Sequence, residues 1–176
     1  RAYPMAHEKR FVMALLSNVL GGGTSSRLFQ SVRERQGLAY SVYSDLNLYR
    51  DAGTLTVYAG TSLQHAEKVI RTIASEFRLL KQEPMPPEEL RRVKDNIRGS
   101  LLLSLESTGS RMHHVARQEI FFEQFHTVEQ LLSGIEAVTA EEVQALALEF
   151  FQTDAIAATL VGNLEGFRLK RDMLAC

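Results

Sequence analysis

The spacing of hydrophobic residues changes at Gly37, and this change constrains the fold more than any other feature. Between residues 8 and 20, apolar side chains recur every four residues in two adjacent rows: Phe11, Leu15, Val19 and Val12, Leu16, Leu20. After Gly37 the apolar residues share one parity from 38 to 48. The first spacing is typical of an amphipathic helix and the second of a strand. A turn at 50–53 and a second strand at 55–59 then predict an antiparallel hairpin.

Helical spacing returns after the hairpin. It predicts helices over 63–80, 90–106 and 111–122, with a break at Pro84–Pro87. Thr61 with Gln64 and Thr139 with Glu142 have the spacing of capping boxes, which begin helices. Residues 155–161 are predicted to form a last short strand.

Strands and helices are therefore segregated along the chain and do not alternate. This order predicts an α+β two-layer sandwich whose sheet is largely antiparallel, with helices on one face. The chain has 176 residues, without an internal repeat or a flexible linker, so we expect a single domain over residues 1–176. It starts at Arg1 and not at Met, which favours a fragment of a larger chain.

Composition excludes several classes of partner. Lys and Arg number 20 and Asp and Glu number 21, so no excess charge attracts nucleic acid or an anionic membrane surface. No apolar run approaches the roughly 18 residues that a membrane helix needs. Cys176 is the only cysteine, so no internal disulfide forms. Cysteine content therefore does not identify the cellular compartment.

The glycine stretch Gly21–Gly23 does not have the pattern of a phosphate-binding loop. Such a loop follows a strand and carries a lysine after its last glycine, whereas here a helix precedes and Thr24 follows. We expect the glycines to end the first helix in a left-handed turn. Residues 24–26 then offer N-caps for a shorter helix that runs to about Gln36 and stops at Gly37.

Two sets of residues near this stretch are ambiguous. Arg27, Arg33 and Arg35 could form a solvated helix face or a functional site. Arg27 is predicted to point away from the buried side, and periodicity does not choose between Arg33 and Arg35, which flank its edges. The parity of Tyr40 places it with the inward residues Val42 and Leu46, as a half-buried core tyrosine. The five histidines lack both H-x-x-E-H and its reverse order, so the chain is predicted to hold no metal.

The stretch LGGGTSSRLFQSVRERQGLAYSVYS, residues 20–44, resembles the non-zinc domain of the pitrilysin or insulinase-like zinc peptidases, which include the mitochondrial processing peptidases. The segment from Ile135 to Glu165 resembles the closing part of the same domain, so the resemblance extends over nearly the whole chain. In that family one half of the enzyme binds zinc through H-x-x-E-H. The other half contributes an arginine and a tyrosine seven residues apart, which Arg33 and Tyr40 match; the resemblance leaves Arg35 as a solvated residue.

The resemblance implies a substrate-binding domain of a zinc endopeptidase, with Arg33 and Tyr40 acting on the substrate carbonyl. It implies a peptide substrate, no cofactor in this chain, and zinc in a partner domain or subunit. The family's domain opens with a strand before its first helix. Only Arg1–Ala6, with Pro4 among them, precede the first helix here, so an open sheet edge and a homodimer are expected. The alternative is a non-catalytic structural subunit like the core proteins of the respiratory cytochrome complex. The sequence does not identify the compartment; we favour the bacterial cytoplasm or periplasm, with the mitochondrial matrix as the alternative.

Overall fold

The computed structural model describes residues 1–176 and has an α+β fold. Six α-helices, one π-helix and one two-stranded antiparallel sheet make up its regular structure. In chain order the elements are α1 (Arg10–Gly21), the π-helix (Phe29–Glu34), β1 (Ala39–Leu48), β2 (Gly53–Thr61), α2 (Leu63–Gln82), α3 (Pro87–Ser104), α4 (Thr108–Phe122), α5 (Val128–Ala137) and α6 (Ala140–Phe150). Two short 3₁₀ turns, Thr153–Ala155 and Arg171–Leu174, follow α6.

Helix α1 is the central helix of the core, as its two apolar rows predict. Leu15, Leu16 and Leu20 are completely buried, and the helix packs against β1, α3 and α6. The core residues of the sheet, such as Val42, point toward this helix, so the helices lie on one face of the sheet. This arrangement confirms the predicted fold class.

The glycines at the end of α1 do not form the left-handed turn that the sequence predicts. Gly22 follows the helix with φ −79°, which is an ordinary conformation for any residue. Gly21 is the constrained position, because a Cβ there would lie 2.2 Å from the Ser44 amide nitrogen. The end of α1 therefore needs a glycine for close contact with β1, where the Ser44 hydroxyl also donates to the Ser17 carbonyl.

Strands β1 and β2 form the predicted hairpin. Their pairing runs from Leu48 opposite Gly53 to Ala39 opposite Thr61, and the Tyr49 amide donates to the Ala52 carbonyl across the turn. One further bridge, between Ala2 and Gly53, attaches the beginning of the chain to this sheet.

The helices after the hairpin follow the predicted order, except that Thr61 has another role and one helix is additional. Thr61 does not cap α2; its hydroxyl donates to the Leu38 carbonyl and closes the end of the hairpin. The Thr139–Glu142 capping box is confirmed, and a second box at Thr127 and Gln130 begins α5, a helix that periodicity did not predict. None of the helices combines the length and apolar character needed to cross a membrane.

The predicted strand over residues 155–161 is wrong. The chain forms a 3₁₀ turn at Thr153–Ala155 and then runs without regular structure, and Val161 is 95% exposed. A strand requires a neighbouring strand to receive its backbone hydrogen bonds. The sheet contains only β1 and β2, so no neighbour is present beside this segment.

Candidate functional site

The helix before Gly37 contains a π-helical segment, which sets the direction of Arg33. Its wider turn is visible where the Arg35 amide donates to the Gln30 carbonyl, five residues earlier, at 2.9 Å. Leu28 and Val32 anchor this segment in the core with no exposed surface. Segments of this kind are frequent at functional sites. The π-helix replaces the α-helix that the sequence predicts to reach about Gln36.

Gly37 connects this helix to β1. Its φ of +58° is left-handed, as predicted for the residue that stops the helix. The Gly37 amide donates to the Arg33 carbonyl at 2.9 Å, and the Leu38 amide donates to the Val32 carbonyl at 2.8 Å. Two backbone hydrogen bonds therefore hold the turn in place. This turn sets the distance between the π-helix and β1.

A β-bulge places Tyr40 in solvent. Ala39 pairs with Thr61 and Ser41 pairs with Gly60, which leaves Tyr40 as the extra residue of β1. A bulge reverses the alternation of side chains, and it re-aims the residue that it contains. Tyr40 is 87% exposed while Ala39 is buried. The inward position that parity predicts for Tyr40 is therefore wrong.

Arg33 and Tyr40 are brought together across the Gly37 turn. The guanidinium carbon of Arg33 lies 5.7 Å from the centroid of the Tyr40 ring and 4.8 Å from that of Phe29. The nearest carboxylate oxygen, on Glu34, is 4.0 Å from Arg33 Nε, and both side chains are about half exposed. The Tyr40 hydroxyl has no hydrogen-bond partner within the protein. Both side chains therefore have unused donors that face solvent.

The other two arginines of this stretch have different surroundings. Arg27 makes two hydrogen bonds to Glu89, at 2.9 and 2.6 Å, and both side chains are mostly buried. Burial lowers the pKa of the Arg27 guanidinium, but the hydrogen bonds and charge of Glu89, with the charge of Glu76, outweigh burial and raise the pKa overall. Arg35 is exposed, as expected, and it also lines a polar cleft beside α2. Only Arg33 lies against Tyr40.

A cleft of about 630 Å³ opens beside Tyr40. Its walls come from the bulged end of β1, the end of β2 and the first turn of α2, and they include Leu38, Gly60, Ser62 and His65. The imidazole Nδ1 of His65 is 3.3 Å from the Ser62 hydroxyl. The spacing of the histidines bears only on metal binding, so it does not predict the position of His65 beside Tyr40. The cleft is wide and open to solvent, and both polar and apolar residues line it.

No side chains of this chain are arranged for zinc. No group of three or more His, Cys, Asp or Glu residues converges on a point that could hold a metal ion. Structural and catalytic zinc sites use at least three protein ligands. A zinc ion therefore does not fit the residues of this chain.

Comparisons with known proteins identify the family of this chain. Residues 1–97 match the family model described as the Peptidase M16 inactive domain. The uncharacterized zinc protease YmxG of Bacillus subtilis is 40% identical over 156 residues, which cover 89% of this chain and 38% of that protein. The chain thus spans well under half the length of this relative.

Two solved structures share the fold. A conserved protein from Enterococcus faecalis V583 has a TM-score of 0.75 and 25% identity, over 83% of this chain and 34% of that one. A peptidase M16 inactive domain from Pseudomonas fluorescens has a TM-score of 0.75 and 22% identity, over 84% of this chain and 35% of that one. The chain belongs to the Peptidase M16 inactive-domain family, within the insulinase-like zinc proteases.

Proposed function

We propose that this chain is the substrate-binding domain of a zinc-dependent endopeptidase and that Arg33 and Tyr40 bind the carbonyl oxygen of the scissile peptide bond. One observation supports this most directly. Arg33 and Tyr40 lie side by side, exposed, with hydrogen-bond donors that the protein itself does not use. A structural arginine in the same stretch, Arg27, is instead paired and mostly buried.

The chemistry of peptide hydrolysis explains why these residue types would be needed. Attack on the carbonyl carbon moves negative charge onto the carbonyl oxygen. A guanidinium and a phenol hydroxyl both donate to such an oxygen, and fixed donors in a site that excludes water stabilise it strongly. The planar guanidinium also presents several N–H groups in a rigid arrangement.

The local backbone supports this role by holding both side chains on rigid elements. Arg33 lies on a π-helix anchored by Leu28 and Val32, and Tyr40 lies on a strand whose neighbours Ala39 and Val42 are buried. The adjacent cleft would receive a side chain of the peptide next to the bound carbonyl. Fixed geometry of this kind is what transition-state stabilisation requires.

The proposal assigns zinc to another domain or subunit, which would supply the metal and the activated water. This chain contains no ligand set for it. Activity therefore requires the zinc-bearing half, and the peptide would bind between the two. We also propose that the isolated chain forms a homodimer through its open sheet edges.

The test uses the complete zinc-bearing protein and a quenched fluorescent peptide library. A double variant, Arg33→Ala with Tyr40→Phe, is expected to keep its zinc content and its folded state but to lose turnover. Unchanged turnover in this variant would refute the proposal. Absence of peptidase activity in the unmodified complete protein would also refute it, and would favour the non-catalytic structural subunit.

A further inference from the structure

A second cleft, of about 770 Å³, lies between the end of the π-helix and α2. None of the residues that line it is hydrophobic. Ser31, Arg35 and Gln36 form one side, and a stripe of α2 from Gln64 to Glu76 forms the other. It shares no residue with the cleft beside Tyr40. The function proposed above does not use this cleft.

A mostly buried carboxylate without a hydrogen-bond partner lies at one end of the cleft. Glu76 is 7% exposed and makes no hydrogen bond or ion pair within the protein. Every fully enclosed polar side-chain atom of the chain has a partner, so the Glu76 oxygens keep their remaining access through the cleft. Arg27 lies near enough for its charge to act on Glu76, but its hydrogen bonds go to Glu89. The Glu76 oxygens are therefore acceptors that no donor of the protein uses, and an incoming ammonium group could donate to them.

Cations outnumber anions at the other end of the cleft. Lys68 and Arg35 line it without forming an ion pair, and Glu67 also lines it but is paired with Arg71. Arg71, by contrast, is held by Glu67 at 2.8 Å and Asp172 at 3.1 Å. This end is also near the start of α2, whose first turn contains no acidic residue and whose N-cap makes no side-chain hydrogen bond. The helix dipole adds positive potential at that end.

The distance between the two ends defines the size of a matching ligand. Lys68 and Glu76 are eight residues apart on one helix, which corresponds to about 12 Å along its axis. An extended peptide advances about 3.3–3.6 Å per residue, so three or four residues span this distance. A lone carboxylate suits an ammonium group better than a metal ion, since no second acidic or histidine ligand converges with it.

We propose that this cleft binds short peptides of three or four residues in their zwitterionic form. The terminal ammonium would donate to the Glu76 carboxylate. The terminal carboxylate would accept from Lys68 and Arg35, beside the first turn of α2. The cleft would therefore recognise the free ends of a short peptide and not its side chains.

The test is calorimetric titration of the 176-residue chain with tetra-alanine, its N-acetyl derivative and its C-terminal amide. Acetylation removes the ammonium and amidation removes the carboxylate, and each is expected to weaken binding by roughly tenfold or more. Glu76→Gln should weaken binding of free tetra-alanine as much as acetylation does, and should leave binding of the acetylated peptide unchanged. Lys68→Gln should weaken binding of free tetra-alanine as much as amidation does, and should leave binding of the C-terminal amide unchanged.

Two matched variants serve as controls. Glu83→Gln and Lys170→Gln remove exposed charges of the same kinds outside the cleft, and both should bind tetra-alanine as the unmodified chain does. Circular dichroism checks that each variant is folded, and the capped peptides test the proposal even if Glu76→Gln fails to fold. Lack of binding by tetra-alanine, or equal binding of free and capped peptides, would overturn the proposal.

Discussion

The guanidinium of Arg33 lies 5.7 Å from the centre of the Tyr40 ring, on the other side of the left-handed turn at Gly37. Three backbone features produce this contact: the π-helix, the turn and the β-bulge. Each of them points the two side chains away from the core. Substitutions of this pair and of matched neighbouring residues should therefore have different effects.

Tyr40→Phe should lower kcat of the complete zinc-bearing enzyme by about 10²–10³-fold, as expected for loss of one donor to a developing oxyanion. KM should change much less. The fold should be unaffected, because the hydroxyl contacts solvent and not the core. Steady-state cleavage of a peptide substrate measures the effect, and Tyr49→Phe, which removes another exposed hydroxyl, should be silent. A Tyr40 variant with normal kcat would contradict the clamping role.

Arg33→Lys should also reduce kcat although it keeps the positive charge. An ammonium cannot reproduce the planar donor arrangement of the guanidinium or its contacts with the rings of Phe29 and Tyr40. The matched variant Arg92→Lys changes an exposed arginine of α3 that forms no ion pair, and it should retain full activity. If Arg33→Lys retained full kcat, charge alone would explain the role of Arg33.

Gly21→Ala should destabilise the fold by at least about 2 kcal/mol. The new Cβ would lie 2.2 Å from the Ser44 nitrogen and 2.7 Å from the Tyr43 carbonyl carbon, so α1 and β1 would have to separate. Gly23→Ala is the control, because its nearest neighbour would be 4.0 Å away, at Asn96 Nδ2. Urea unfolding compares the two, and equal stabilities would show that α1 tolerates a side chain at this contact.

Glu89→Ala should lower the free energy of unfolding by about 3 kcal/mol, since it leaves the mostly buried Arg27 without its hydrogen-bonded carboxylate. Glu88 lies beside Glu89 in the first turn of α3 but is exposed, and it makes no ion pair. Glu88→Ala should therefore cost well under 1 kcal/mol. Thermal and urea unfolding both report this difference. Similar losses in the two variants would mean that the Arg27 pair contributes little.

The isolated chain should self-associate at high micromolar concentration. Its sheet has only two strands, so an outer edge of backbone donors and acceptors is available for pairing with another copy. Sedimentation equilibrium over a concentration series measures the association. A strictly monomeric particle across the series would contradict the prediction.

The sequence alone predicted the elements that depend on local patterns. The apolar rows of α1, the hairpin and the Thr139–Glu142 box are all determined by residues within a few positions of one another, and the structure contains them. The helix α5 was missed although Thr127 and Gln130 carry the same capping signal. Its apolar spacing is short, so the cap was the only local sign of it.

The exposed position of Tyr40 could not be read from spacing. The bulge is determined by pairing with Gly60 and Thr61, some 20 positions later in the chain, and parity assumes that no residue is skipped. Only the resemblance to a family identified Tyr40 and Arg33 together. The prediction of a strand at residues 155–161 was wrong for a related reason. These residues have the composition of a strand, but no neighbouring strand is present to pair with them.

The bulge and the π-helix have a consequence for how such a domain changes over generations. They lie on the two sides of a single turn, one in a helix and one in a strand. Both also hold core residues, because Val32 of the π-helix and Ala39 beside the bulge are buried. Deletion of one residue on either side of the turn would therefore turn Arg33 or Tyr40 away from the other and would also displace a buried side chain. Loss of this side-chain pair by deletion would cost stability, whereas loss by substitution of an exposed side chain would leave the packing intact.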